Sequence, residues 1–324
     1  MASVRIGLGA TLVSALLAVL ERPWTWLLCL VGFLVRGGWL LVLAPIVVLP
    51  TAVGVGNVAA PLLEDIAFGR RTDEVLIVIG GSLVAAVAWL VGGGLLAAAT
   101  EVEAVRATAQ VVGPDRLGRA PGGHPIRDVL AVRLSALIPL VLAMAWAGVR
   151  FVGVAYRELT VPSDVATPAA YRVLAGAPDG VLALVVTWLF AETVGSMAAR
   201  RVVLAGEPVR MALRSAIRRL RHAPLRPIVL AALPTLVLLV VLAVTALGTG
   251  TGWDQLRAAL ADRDASVGTS FLIVLFVVLF AGGLILLALT TAWRSAVWTI
   301  DGIGTLGTSV AGTFGGGTSS RSGD

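Results

Sequence analysis

Of the chain's 324 residues, 58% are hydrophobic and only 14% charged, whereas a soluble domain carries roughly 25% charged residues to cover its core. A mean hydropathy of +0.94 excludes an ordinary soluble enzyme and requires apolar surface that faces lipid. The net charge of +6 sits mostly in one loop, so the basic balance does not indicate a nucleic-acid binder.

All 25 basic residues are arginine. With abundant Ala, Gly, Val and Leu, this matches the coding bias of a GC-rich genome, and a bacterial origin is expected. The single cysteine, Cys29, lies in an apolar run, which leaves neither a disulfide framework nor a metal quartet.

The first apolar stretch, Ile6–Leu20, resembles a signal peptide, but "LERPW" follows where a small-residue cleavage site belongs. On a helical wheel Leu8, Leu12, Leu16, Leu17 and Leu20 share one arc, with Gly7, Thr11, Ser14 and Glu21 opposite. The pattern predicts an interfacial amphipathic helix over 1–22; an uncleaved extra span is the alternative.

A hydrocarbon core ~30 Å thick needs ~20 apolar residues in a helix. Six windows meet this requirement, at 24–50, 75–99, 129–154, 180–203, 227–248 and 270–293. The predicted fold is all-α, a six-span transmembrane bundle over 23–301. A Gly/Ser-rich tail, 302–324, is expected to be disordered.

The first span carries Arg36 in "FLVRGGWLL", twelve residues after Trp24 and so ~18 Å deep. Gly92, Gly93 and Gly94 lie in the second span, where helix packing accounts for them better than phosphate binding does. Arg133 and Arg150 bracket the third span and are expected to snorkel to opposite surfaces, with no chemistry assigned to either.

The fourth span contains "GVLALVVTWLFAETVGSMAA", in which Glu192 is the one charge. It lies eight residues before Arg200, ~12 Å from that end. A charge at mid-membrane costs roughly 2.5–3.5 kcal/mol on the insertion scale, so Glu192 needs a partner or a proton. Arg36 is at a compatible depth, which predicts an Arg36–Glu192 ion pair. Gly37 and Gly38, and the stripe Ala191, Gly195 and Ala199, would let helices approach there. The pair is either a structural staple or the site of a small transporter; a protonated Glu192 bonded to Thr or Ser neighbours is a further structural alternative.

The loop after the fourth span predicts a basic helix over Pro208–His222. Val209, Leu213, Ala216, Ile217 and Leu220 form its apolar face. Arg210, Arg214, Arg218 and Arg221 share the adjoining arc, and Arg219 flanks the other side. Such a helix suits anionic lipid, at ~1 kcal/mol per basic residue. A topology-fixing loop, a partner site and nucleic acid are the other readings, and the lack of interleaved aromatics weakens the last.

Arginine placement sets the predicted orientation. Seventeen arginines fall with the N-terminus, the 100–133 and 200–226 loops and the C-terminus; seven fall on the other side. Both termini are therefore expected in the cytoplasm of a bacterial inner membrane, with Trp24, Trp26, Trp293 and Trp298 at its interface.

"HPIRDVLAVRL" and "APLRPIVLAAL" open the third and fifth spans alike, and "ERPW" opens the first more loosely. Short outer helices are predicted in "PLLEDIAFG" from Pro61, "PAAYRVLAG" from Pro168 and "WDQLRAALAD" from Trp253. A threefold repeat of helix pairs is expected, against six spans with incidental likeness.

Through Val194–Pro224 and "TAWRSAVWTID", Thr291–Asp301, the chain resembles bacterial six-helix inner-membrane proteins. That group includes the membrane domain attached to some glycerophosphodiester phosphodiesterases. The resemblance implies a six-helix fold, and with no catalytic barrel attached it implies no phosphodiesterase activity. His124 and His222 lack a second ligand at metal spacing. Asp115 and Asp128 form no paired-acid pattern, and no G-x-S-x-G or P-loop occurs. The expected function is a non-catalytic scaffold or accessory subunit with no cofactor, partnered by anionic membrane lipid and by a protein in the membrane. A small permease at Arg36 and Glu192 is the alternative.

Overall fold

A computed structural model describes residues 7–47, 72–112, 124–161, 163, 167, 169–261 and 267–314. Among these the chain is helical and contains no strand. The elements are α1 (Leu8–Glu21), α2 (Trp24–Phe33), a π-helical turn (Leu34–Gly38), α3 (Trp39–Leu43), α4 (Thr72–Val112) and α5 (Pro125–Thr160). They continue with α6 (Ala169–Gly176), α7 (Pro178–Ala205), α8 (Val209–His222), α9 (Leu225–Ala261) and α10 (Val267–Phe314).

Six segments are long and apolar enough to cross a membrane: Trp24–Leu43, Leu76–Val112, Pro125–Glu158, Pro178–Ala205, Leu225–Ala261 and Gly268–Thr305. The protein is a multi-pass membrane protein of six helical spans. Lipid is the solvent its surface demands: Leu76, Ile77, Leu83 and Val84 on α4, and Leu142 and Val149 on α5, are all more than 60% exposed.

Local chemistry sets several helix ends. Proline opens α5 and α7 at the first turn, where the missing N–H has no intrahelical acceptor in any case. Gly206, at φ +64°, closes α7. Its N–H donates to the Val202 carbonyl and that of Glu207 to the Arg201 carbonyl, as expected for a left-handed cap.

Four expectations are corrected. The first span is not one helix: the π-turn interrupts it, with Gly37 at φ +103°, a conformation that side chains with a Cβ rarely adopt. The second span runs past residue 99 to Val112. "WDQLRAALAD" is no separate helix, because α9 continues through it to Ala261. The glycines before it, Gly248, Gly250 and Gly252, stay inside the helix and do not turn the chain. Finally, 302–314 belong to α10; glycine alone does not end a helix whose backbone bonds are already formed.

Of the other predicted outer helices, "PAAYRVLAG" appears as α6, and the Pro61 segment lies outside the described residues. The 14-residue α1 is ~21 Å long, too short to span. It turns Thr11, Ala15, Ala18 and Val19 inward and leaves Val13, Leu16, Leu17 and Leu20 exposed.

The chain divides into two compact units. The first comprises Met1–Glu21, Val105–Thr235 and Arg294–Asp324; the second comprises Arg22–Ala104 and Leu236–Trp293. In the first, α5 packs along α7 through small residues: Ala136, Ala147, Ala191, Ala198 and Ala199 are buried. A Cβ at Gly195 would meet Arg133 and Ala136, and one at Gly180 would meet Phe151 and Ala147. Without a hydrophobic drive between helices in lipid, close van der Waals approach does this work. In the second unit Val42, Leu238 and Leu287 form a core with Phe33, Phe280 and Leu284 packed around it.

Candidate functional site

Three clusters of paired charge lie on the spans. In the second unit, the interrupted first span presents Arg36, whose guanidinium donates to the Glu101 carboxylate on α4. The Glu101 side chain is 5% exposed and that of Arg36 41%. Gly32 lets α2 lie against α4, since a Cβ there would sit 2.8 Å from the Thr100 hydroxyl.

In the first unit, Glu192 on α7 forms an ion pair with Arg294 on α10 at 2.8 Å and with Arg133 on α5 at 3.5 Å. The Ser196 hydroxyl, one helical turn on, donates to Glu192 at 2.9 Å and accepts from Arg133 at 3.3 Å.

The third cluster centres on Asp301 of α10, 2% exposed. Arg219 of α8 donates to one carboxylate oxygen at 2.7 Å and Arg226 of α9 to the other at 2.8 Å. Arg226 also donates to Thr11 of α1 at 3.4 Å. One buried carboxylate thus gathers α8, α9 and α10, with α1 attached through Arg226. Close by, Arg201 and Glu207 form a two-point pair at 2.9 and 2.8 Å. Arg200 donates to the Ser295 hydroxyl at 3.0 Å.

The structure gives each member of the predicted Arg36–Glu192 pair partners within its own unit: Glu101 for Arg36, and Arg294 and Arg133 for Glu192. The continuation of α4 beyond residue 99 is the physical reason, since it makes Glu101 a helix residue facing α2. Arg133 does not snorkel to a surface. Its side chain is 16% exposed and turns to α7, where a carboxylate waits. Arg150 does lie outward, paired with Asp179 at 3.0 Å.

The basic helix forms as α8. Arg210, Arg214, Arg218 and Arg221 are exposed. Arg219 pairs with Asp301 at 2.7 Å. On its inner side Ala212 and Ala216 are buried, and the helix packs on α7 and α5.

Among the described residues no three His, Cys, Asp or Glu side chains are placed to hold a metal ion. Each buried carboxylate instead faces guanidinium groups, an arrangement that holds helices together. No protein-family model matches the chain, and no curated protein or solved structure matches it.

Proposed function

We propose that this protein is a non-catalytic scaffold or accessory subunit of a bacterial inner membrane, resting on anionic lipid through α8. The observation that carries this reading is the division of labour on that helix. Its inner side and Arg219 are held by protein, while Arg210, Arg214, Arg218 and Arg221 remain exposed. A basic surface anchored in this way does not have to order itself on binding, and each arginine near an anionic leaflet contributes ~1 kcal/mol. The excess of arginine on this side supports a cytoplasmic location for it and for both termini. The likeness to six-helix membrane domains agrees with a role without chemistry of its own.

The test is lipid retention. The full chain is purified in dodecyl maltoside from membranes containing phosphatidylglycerol, and bound lipid is measured by mass spectrometry. Replacing all four exposed arginines by glutamine should remove most of the phosphatidylglycerol. Equal retention by both proteins refutes lipid contact through α8.

One observation favours a second reading, a small permease. The first span breaks at Gly37, next to the membrane-embedded Arg36, and interrupted helices commonly line transport sites. Arg36→Gln should then abolish a solute or ion flux seen with the unaltered protein in proteoliposomes. If the unaltered protein shows no flux across a panel of ions and organic anions, this reading fails.

A further inference from the structure

The exposed arginines of α8 form an ordered row. Arg210, Arg214, Arg218 and Arg221 are exposed, and among the described residues none of the four meets a hydrogen-bond or ion-pair partner. Their basic neighbours differ: Arg219 pairs with Asp301 and Arg201 with Glu207. The helix, VRMALRSAIRRLRH, contains no acid, so nothing on it neutralises the row.

Helix geometry fixes the spacing. The four arginines fall within an arc of ~80°, and the last three stand about 6, 12 and 16 Å along the axis from Arg210. Ala212 and Ala216, both buried, and Arg219, held by Asp301, lie on the opposite side. The helix therefore cannot roll, and the row is presented in one register. Met211, 58% exposed, borders the arc and offers apolar contact beside the charges.

A row of this length exceeds one phosphate. Two guanidiniums suit one phosphate group, each donating to its oxygens. The midpoints of the pairs Arg210–Arg214 and Arg218–Arg221 are ~11 Å apart along the axis, so one phosphate occupies one pair and leaves the other open. Phosphates on separate lipids must be gathered one at a time. A second phosphate tethered to the first arrives at the effective concentration of a short linker.

We propose that α8 is a docking surface for a diphosphate lipid, one whose headgroup joins two phosphates through a short bridge. One phosphate sits at Arg210 and Arg214 and the other at Arg218 and Arg221. Exposed Met211 favours a lipid over a soluble polyanion, because it meets the acyl region beside the headgroup. The inference rests on the lipid reading of α8 given above and adds which lipid the helix selects.

The experiment uses the full chain, stripped of lipid in dodecyl maltoside, and native mass spectrometry. Cardiolipin, with two phosphates, is titrated in one arm and phosphatidylglycerol, with one, in the other. Arg210→Gln with Arg214→Gln, and Arg218→Gln with Arg221→Gln, are measured beside the unaltered protein. All four side chains are exposed, so both paired variants keep the fold. The unaltered protein should bind cardiolipin at least ~10-fold more tightly than phosphatidylglycerol. Each paired variant should lose most of that preference, since one phosphate then has no seat, and should still bind phosphatidylglycerol at the remaining pair.

Equal affinity per phosphate for the two lipids, or an undiminished preference in either paired variant, overturns the proposal. Failure here remains distinct from failure of the lipid reading. If the four-arginine variant loses phosphatidylglycerol while the unaltered protein shows no preference, lipid contact through α8 stands and the diphosphate site falls. If the four-arginine variant binds both lipids as the unaltered protein does, both fall.

Discussion

Replacing Asp301 by asparagine keeps the shape of the side chain and removes its charge. Two charge-assisted hydrogen bonds, at 2.7 and 2.8 Å, become neutral or are lost. Each bond to a charged group contributes ~1.5–3 kcal/mol. The Arg219 and Arg226 side chains keep 21% and 34% exposure, so water reaches the charges that remain, and the sum is smaller than for a sealed pair. We expect a loss of about 2–4 kcal/mol. For a chain of this size that lowers the melting temperature by ~3–6 °C. The assay is the fraction of folded protein left on gel filtration after heating in dodecyl maltoside. Arg219→Gln should cost less, because Arg226 still faces the carboxylate. A melting temperature for Asp301→Asn within ~1 °C of the unaltered protein refutes the claim that this carboxylate gathers the helices.

Two glycine substitutions separate conformational strain from crowding. A Cβ at Gly37 meets nothing within 4 Å, so Gly37→Ala costs only the strain of φ +103°, about 1–2 kcal/mol. A melt equal to that of the unaltered protein refutes the interrupted first span. At Gly283 the φ is ordinary, and a Cβ would lie 2.2 Å from the Thr245 methyl and 3.1 Å from its Cβ. Rotating Thr245 relieves the first clash and not the second. Gly283→Ala should therefore lose about 1–3 kcal/mol, and the pair Gly283→Ala with Thr245→Ala should recover part of it in the same heating assay.

The spans were legible because length and apolar run decide them, and lipid leaves a chain few alternatives to helix. Where the helices stop was not legible. Thr249 and Thr251 return their hydroxyls to the Thr245 and Leu247 carbonyls, so polar residues that read as an outer loop remain inside α9. Glu101 reads as a loop residue for the same reason, which leaves Glu192 as the one acid visible within a span. The small-residue stripe around Gly195 is legible as a packing face, and the residues against it are Arg133 and Ala136. Arg219 and Asp301 are separated by 82 residues, and no periodicity connects them.

The charge pairs recur in a form that makes the last prediction. Arg36 and Glu101 join the first and second spans, Arg133 and Glu192 the third and fourth, and Arg226 and Asp301 the fifth and sixth. In each case the first helix of a pair brings the arginine and the second brings the acid, at separations of 65, 59 and 75 residues. The recurrence lies in the pairing and not in the register, since Arg226 opens its helix while Arg133 lies well inside its own. A partly buried ion pair adds little net stability, yet removing one partner strands the other. Neutralising both members of a pair should then cost less than the sum of the two single changes. For Arg133→Gln with Glu192→Gln, a double-mutant cycle should give a coupling of about 0.5–3 kcal/mol. The cross combination, Arg133→Gln with Asp301→Asn, joins residues that share none of the contacts described above and should be additive within ~0.5 kcal/mol. Equal coupling in the two cycles would mean that the charges act as one diffuse field, and the helix-by-helix pairing would have to be abandoned.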